Sequence, residues 1–217
     1  MDAQQKGKVS NFWYYYKWHV IIALVVAVIL AITIRDCSHN VEPDISIRGI
    51  LNAYVGEESK QALEQTLYDA GLIPDLNADG KQNCMLQLLT MPEEMKSEQD
   101  MAVQMQVMLG FAADDAALYL IDEEFLELYE EQEIFQPLDT FAAQQNVPQE
   151  DCYIGPETGE ILGVSLQGNA LLDRCGIQTD TLYLAMRVMR QNEQEKPEMQ
   201  AMFDASEQIA AYLYQQR

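Results

Sequence analysis

Ala117-Leu118-Tyr119-Leu120-Ile121-Asp122 is a short apolar run that stops on a carboxylate. An apolar run of this length is the pattern of a strand covered on both faces. Asp122 then stands where it can cap a helix over 123–131, whose outer face is rich in Glu. Upstream, Met101, Met105, Met108 and Leu109 recur at helical spacing and predict a helix over 94–109, with the methionine stripe turned into the core. Cys84 to Met91 is another compact apolar run and reads as a strand. Ala62, Leu63, Leu67 and Ala70 place a helix over 57–71, with Gly71 as its stop. Ile45, Ile47, Gly49 and Leu51 follow the period of two that marks a strand. Strand, helix, strand, helix, strand, helix is the order of an α/β domain. The expectation is a three-layer fold with a largely parallel sheet.

Downstream the pattern is less regular. Pro137, Pro148 and Pro156 punctuate residues 135–160. Ile161 to Leu166 predicts a strand, and Gly155-Pro156-Glu157-Thr158-Gly159 is a turn that can fold 152–155 back on it as a hairpin. Thr181 to Val188 is a further apolar segment, and residues 197–216 form an amphipathic helix pattern that starts at Pro197. There is no internal repeat and no low-complexity linker.

The N-terminal region belongs to a different environment. Val20 to Ile34 is apolar except for Thr33, which falls short of the roughly 20 residues that cross a bilayer. The preceding Phe12-Trp13-Tyr14-Tyr15-Tyr16-Lys17-Trp18 supplies the missing length, because Tyr and Trp favour the headgroup region and Lys17 can reach back to water. The expected organisation is a cytoplasmic tail at 1–13, a transmembrane helix at 14–34, a stalk at 35–44 and an extracytoplasmic domain at 45–217. A cleaved signal peptide is the rival reading. It lacks its small-residue cleavage site, since Thr33-Ile34-Arg35-Asp36-Cys37 follows the apolar run. Three lysines up to His19, against Arg35 alone in the first dozen residues after the span, put the tail in the cytoplasm and the domain outside the cell membrane.

Charge follows the same division. Residues 1–35 carry Lys6, Lys8, Lys17 and Arg35 against Asp2, a net of +3, and the remaining 9 basic and 34 acidic residues give 36–217 a net of −25. Such a domain repels nucleic acid and anionic headgroups. The two histidines, His19 and His39, both precede residue 40, so a Ser-His-Asp or Cys-His centre and histidine zinc ligation inside the domain are excluded. Cys37, Cys84, Cys152 and Cys175 contain no CxxC pair. Cys152 and Cys175 can pair in an exported domain, or all can stay as buried thiols. There is no P-loop and no GxGxxG, and Trp13 and Trp18 both belong to the membrane segment. Solvated surface is the ordinary account of the many carboxylates, and a glycosidase-like pair among them is a remote alternative.

Asp75-Leu76-Asn77-Ala78-Asp79-Gly80-Lys81 carries the most specific motif. Oxygen side chains at positions one, three and five with Gly at six are the opening half of an EF-hand calcium loop. Asp75, Asn77 and Asp79 are therefore the candidate metal ligands, with calcium as the candidate ion. The second half fails, because Leu86 stands where the loop needs a bidentate Glu. A polar turn, in which Asp and Asn side chains bond their own backbone, is the preferred reading, and no cofactor is expected.

Phe12-Trp13-Tyr14-Tyr15-Tyr16-Lys17-Trp18-His19, the Asp75–Lys81 segment, Ala117–Asp122, Phe135-Gln136-Pro137-Leu138-Asp139 and Thr181-Leu182-Tyr183-Leu184-Ala185-Met186-Arg187 together resemble membrane-anchored proteins of anaerobic Gram-positive bacteria. Their extracytoplasmic part resembles a reduced solute-binding protein of the periplasmic type. The resemblance implies an α/β fold on the outer face of the membrane and no particular ligand. It departs from full solute-binding proteins, which have two lobes and a lipid tether. The expectation is a membrane-anchored, extracytoplasmic, non-enzymatic domain that binds a protein partner or a small solute. The alternative is an accessory subunit of a membrane complex with no ligand of its own.

Overall fold

The computed structural model describes residues 18–19, 21–33, 43–92, 96–113 and 116–217. The chain divides into two compact units, Met1–Glu42 and Pro43–Arg217.

In the first unit, residues 21–33 form helix α1, whose large apolar side chains are exposed. Thr33 Oγ1 donates to the Ile29 carbonyl at 2.9 Å, so its hydroxyl is satisfied within the helix. Residues 14–17, 20 and 34 of the expected span, the tail and most of the stalk lie outside the described residues. Among the described residues no helix is long and apolar enough to cross a membrane. At about 1.5 Å per residue, α1 as described covers roughly 20 Å of a hydrocarbon core of about 30 Å.

The second unit is an α/β domain with a mixed sheet. Its strands are β1 (Ile45–Leu51), β2 (Cys84–Thr90), β3 (Leu118–Asp122), β4 (Cys152–Ile154), β5 (Ile161–Ser165) and β6 (Leu182–Met186), in spatial order β2-β1-β3-β6-β5-β4. β1 pairs parallel with β2 and with β3. β6 pairs antiparallel with β3 and with β5, and β4 pairs antiparallel with β5. A largely parallel sheet thus holds for the first three strands and fails for the last three. The connections explain the change. α2 (Glu57–Asp69) and α3 (Glu98–Ala113) are long enough to carry the chain back along the sheet between parallel strands. Between β4 and β5 there is only a tight turn, and between β5 and β6 the five-residue helix α6 (Ala170–Arg174), too short for a crossover.

Alternation along the strands builds two cores. Leu118 and Leu120 of β3 enter one cluster with Ile45, Ile47, Leu63 and Leu67, while Tyr119 and Ile121 enter the other with Ile50 and Phe111. The first cluster is covered by α2, α5 (Asp139–Gln145), α6 and α7 (Pro197–Gln215); the second by α3 and α4 (Glu123–Tyr129). β3 is therefore buried at every position, as its unbroken apolar run predicts. β1 is not the half-exposed strand that its alternation suggests, because Ser46 and Ile50 are buried too.

Local signals set the ends. Gly71 follows α2 at φ +70°, and the Leu72 N–H reaches the Leu67 carbonyl at 3.2 Å, the closing turn that favours glycine. α3 starts at Glu98 rather than near 94 because Ser97 and Asp100 form a reciprocal cap. The Asp100 carboxylate accepts the Ser97 N–H at 2.8 Å and the Ser97 hydroxyl accepts the Asp100 N–H at 3.2 Å. Asp122 stands at the start of α4 as expected, yet it does not cap the helix. Its oxygens accept the Asn52 N–H at 2.7 Å and the Thr181 hydroxyl at 2.9 Å, tying the end of β1 to the entry of β6.

Candidate functional site

The methionine stripe of α3 is the largest departure from the sequence expectation. It does not point into the core. Met101 is 57 % exposed, Met105 67 %, Met108 43 % and Leu109 64 %. The helix packs on the sheet through Val107, Gly110 and Phe111 instead. At Gly110 the Arg48 guanidinium from β1 lies where a Cβ would stand, so a side chain there would have to displace it. Phe111 supplies the anchor. Its ring lies 5.6 Å from that of Tyr119, 5.1 Å from Tyr129 and 6.1 Å from Phe135, the last two edge-on. One aromatic side chain in a well-made cluster therefore holds a helix whose opposite face is apolar and in water.

That face carries no charge. From Met101 to Ala113 the sequence contains no Asp, Glu, Lys or Arg, although residues 36–217 together have a net charge of −25. By contrast α2, α4 and α7 turn Glu57, Glu127 and Glu207 outward. Single exposed apolar residues are ordinary, but a run of them along one helix marks an interaction surface.

Beside α3 the face continues into a groove of about 400 Å³ lined by Met108, Ala112, Ile134 and Val188 and by the charged Glu133, Arg187 and Arg190. Arg187 is buried. Its Nη1 and Nη2 donate to the two Glu193 carboxylate oxygens at 2.8 and 3.0 Å, and its Nε donates to the Ala116 carbonyl at 3.1 Å. Its guanidinium also lies 5.2 Å from the centre of the Phe203 ring of α7. Burial alone would raise the Glu193 pKa. The hydrogen bonds from Arg187 and from the Arg190 N–H outweigh it and hold the carboxyl below its ordinary value. Arg187 is thus held in a neutralised pair with Glu193 rather than as an open charge.

Asp75, Asn77 and Asp79 lie in the turn between α2 and β2, on the β2 edge of the sheet. Asp75 accepts the Asp79 N–H at 3.1 Å and the Gly80 N–H at 3.0 Å; Asn77 accepts the Asp79 N–H at 2.9 Å; Asp79 accepts the Lys81 N–H at 2.8 Å. Ala78 and Gly80 take left-handed conformations at φ 58° and 80°. Asp44, which is buried, fastens the turn by accepting N–H bonds from Leu76, Asn77 and Asn83. These are the bonds of a polar turn. Leu86, the would-be twelfth residue of a calcium loop, sits in β2 at 5 % exposure within the core. Among the described residues no group of three His, Cys, Asp or Glu side chains is placed to hold a metal.

Cys84, Cys152 and Cys175 are free thiols, so the Cys152–Cys175 pairing is not made; Cys37 lies outside the described residues. Burial, with Glu64 alongside, pushes the Cys84 thiol up to about 12, which leaves it protonated and unreactive at neutral pH.

Sequence reasoning found α3 and named its methionines, but put them on the wrong side. The signal that could have corrected it is the spread of apolar residues over 101–113: Val107 and Phe111 form a second set off the methionine stripe, and one helix cannot turn both sets fully into a single core. No protein-family model matches the chain, and no characterised protein matches it in sequence.

Proposed function

We propose that the chain is a membrane-anchored, extracytoplasmic, non-enzymatic binding domain that recognises a protein partner through the outward face of α3. The observation that carries this reading is the exposure of Met101, Met105, Met108 and Leu109 on a charge-free helix of an acidic domain. Methionine suits such a surface because its unbranched, polarisable side chain adapts to the partner it meets. The anchor at 14–34, with the lysine-rich tail inside, supports an outer-face location and a role as accessory subunit of a membrane assembly. The resemblance to a reduced solute-binding protein is kept as a likeness of fold. Solute binding in that family uses a cleft between two lobes, whereas residues 43–217 form one compact unit.

The test places a photo-crosslinking amino acid at Leu109 and, as control, at the exposed Gln208 of α7 in the full chain in its native membrane. Crosslinks to protein from Leu109 and few from Gln208 are expected. Equal yields, or none at Leu109, would remove the reading. Protease added to intact spheroplasts should digest the domain; protection until lysis would reverse the topology.

A further inference from the structure

Methionine is an apolar side chain that an oxidant can make polar. Where the side chain lies decides whether the oxidant reaches its sulfur. Among the described residues every exposed methionine is on α3: Met101, Met105 and Met108. Met91, Met186 and Met202 are buried in the two cores. Two of these buried sulfurs are also engaged by donors. The Tyr129 hydroxyl donates to Met91 Sδ at 3.7 Å and Gln136 Nε2 donates to Met186 Sδ at 4.0 Å, which occupies lone-pair density that an oxidant must meet. A buried sulfur becomes accessible only when the core opens, at a free energy near that of global unfolding. The domain thus separates two classes of methionine, and the accessible class falls on one helix.

We infer that Met101, Met105 and Met108 form a sulfoxidation site, at which a peroxide-class oxidant turns the outward face of α3 from apolar to polar and ends docking there. The second half of the inference rests on the docking reading above. The step needs peroxide alone. A sulfur lone pair attacks one peroxide oxygen and the O–O bond breaks. The thioether is oxidised by two electrons to a sulfoxide, and hydrogen peroxide is reduced to water. The sulfoxide oxygen is a strong acceptor that water solvates, and a partner packed against the stripe would have to desolvate three of them. The fold tolerates the change. α3 is held to the sheet through Val107 and Phe111, and the side chains that gain oxygen lie outside both cores. Reversal takes a thiol reductant and a methionine sulfoxide reductase for each sulfoxide epimer, and yields a disulfide and water.

The experiment treats the detergent-extracted full chain with limiting hydrogen peroxide, to about one sulfoxide per chain, and locates the oxygen by peptide mapping. Met101, Met105 and Met108 should be oxidised about tenfold faster than Met91, Met186 and Met202, with the melting midpoint unchanged. In native membranes with the photo-crosslinker at Leu109, peroxide before irradiation should lower the crosslink to protein about fivefold, and methionine sulfoxide reductases with dithiothreitol should restore it. Equal rates for the two classes, or a midpoint that falls as the α3 methionines are oxidised, would overturn the site. Crosslinking that survives oxidation of all three would overturn the switch and leave the docking reading standing. So would methionines that stay reduced in membranes while they oxidise in detergent. No crosslink from Leu109 even before peroxide would remove the docking reading and the switch with it, while the order of oxidation still decides the site.

Discussion

α3 and α7 are the two longest helices of the domain, and they treat apolar residues in opposite ways. α7 sorts them by side. Met202, Phe203, Ile209 and Leu213 are buried against the sheet, and Asp204, Glu207 and Gln208 face water. α3 does not sort them. Val107 and Phe111 go inward, and Met101, Met105, Met108 and Leu109 go outward. An amphipathic helix announces both where the core is and where solvent is. A helix with apolar residues on two sides does not announce which side the core takes, and in α3 the domain covers only the side of Val107 and Phe111.

The ion pair beside the α3 groove gives the largest test of that comparison. Arg187 lies on Phe203 of α7 and lines the groove beside α3, and Glu193 holds it there. Glu193→Ala leaves a buried guanidinium without its counter-charge and should cost about 3–5 kcal/mol in urea unfolding. A cost below about 1 kcal/mol would mean that water reaches the pair. The pH dependence follows from the direction of the shift. The Glu193 carboxyl is held below its ordinary value, so its contribution is present above about pH 4 and disappears as pH falls through the lower folded value. Neutralising the other acidic groups relieves repulsion and pulls the other way. The comparison is therefore between wild type and Glu193→Gln from pH 6 to pH 3: wild type should lose its advantage in that interval, and two parallel curves would deny it.

The next contrast is between the helices themselves. Leu213 of α7 is fully buried, and Leu213→Ala should cost about 2–5 kcal/mol through lost transfer energy and the cavity left behind. Met105→Ala should change the stability of the unassembled domain by less than about 0.5 kcal/mol, as exposed substitutions do. Urea midpoints for the two variants measure both. A large loss at Met105 would mean that α3 turns its methionines inward in solution.

How far the sequence spoke for the fold depends on which residues are asked. β3 was legible because apolarity at each position has one physical meaning, burial on both faces, and Ala117–Ile121 keeps it without a break. α2 and α7 were legible because their apolar spacing and their punctuation at Gly71 and Pro197 agree. α5 and α6 were missed for brevity. α6 depends on Asn169, whose side chain accepts the Leu171 and Leu172 N–H groups at 3.1 and 2.9 Å and donates to the Leu213 carbonyl at 2.6 Å. The first two bonds are a local cap that Asn before an apolar pair could have suggested, whereas the third reaches across 44 residues and leaves no local trace. The sheet's change of direction at β6 is a long-range property as well. The orientation of α3 failed for a different reason: periodicity gives the spacing of a stripe, and only the competing set at Val107 and Phe111 says which stripe the core takes.

The Asp75–Lys81 turn should give the smallest response, and it separates a loop that binds from one that only folds. Its side-chain oxygens already accept backbone N–H groups within the turn, and Asp44 braces it from beneath. A calcium loop needs a bidentate carboxylate at its twelfth position to complete the ion's shell. That position is Leu86, locked into β2 by pairing with Ile47 of β1 and by its place in the core. Moving it outward would cost the about 2 kcal/mol that burying a leucine contributes, before any ion is bound. Calcium at about 1 mM, the upper range of weak extracellular sites, should therefore leave the melting midpoint of the full chain unchanged. Asp75→Ala should lower that midpoint slightly and by the same amount with and without calcium, since it removes acceptors for the Asp79 and Gly80 N–H groups. A calcium-dependent rise in the parent, abolished by Asp75→Ala and by Asp79→Ala, would instead make the turn an ion site completed by a carboxylate from elsewhere.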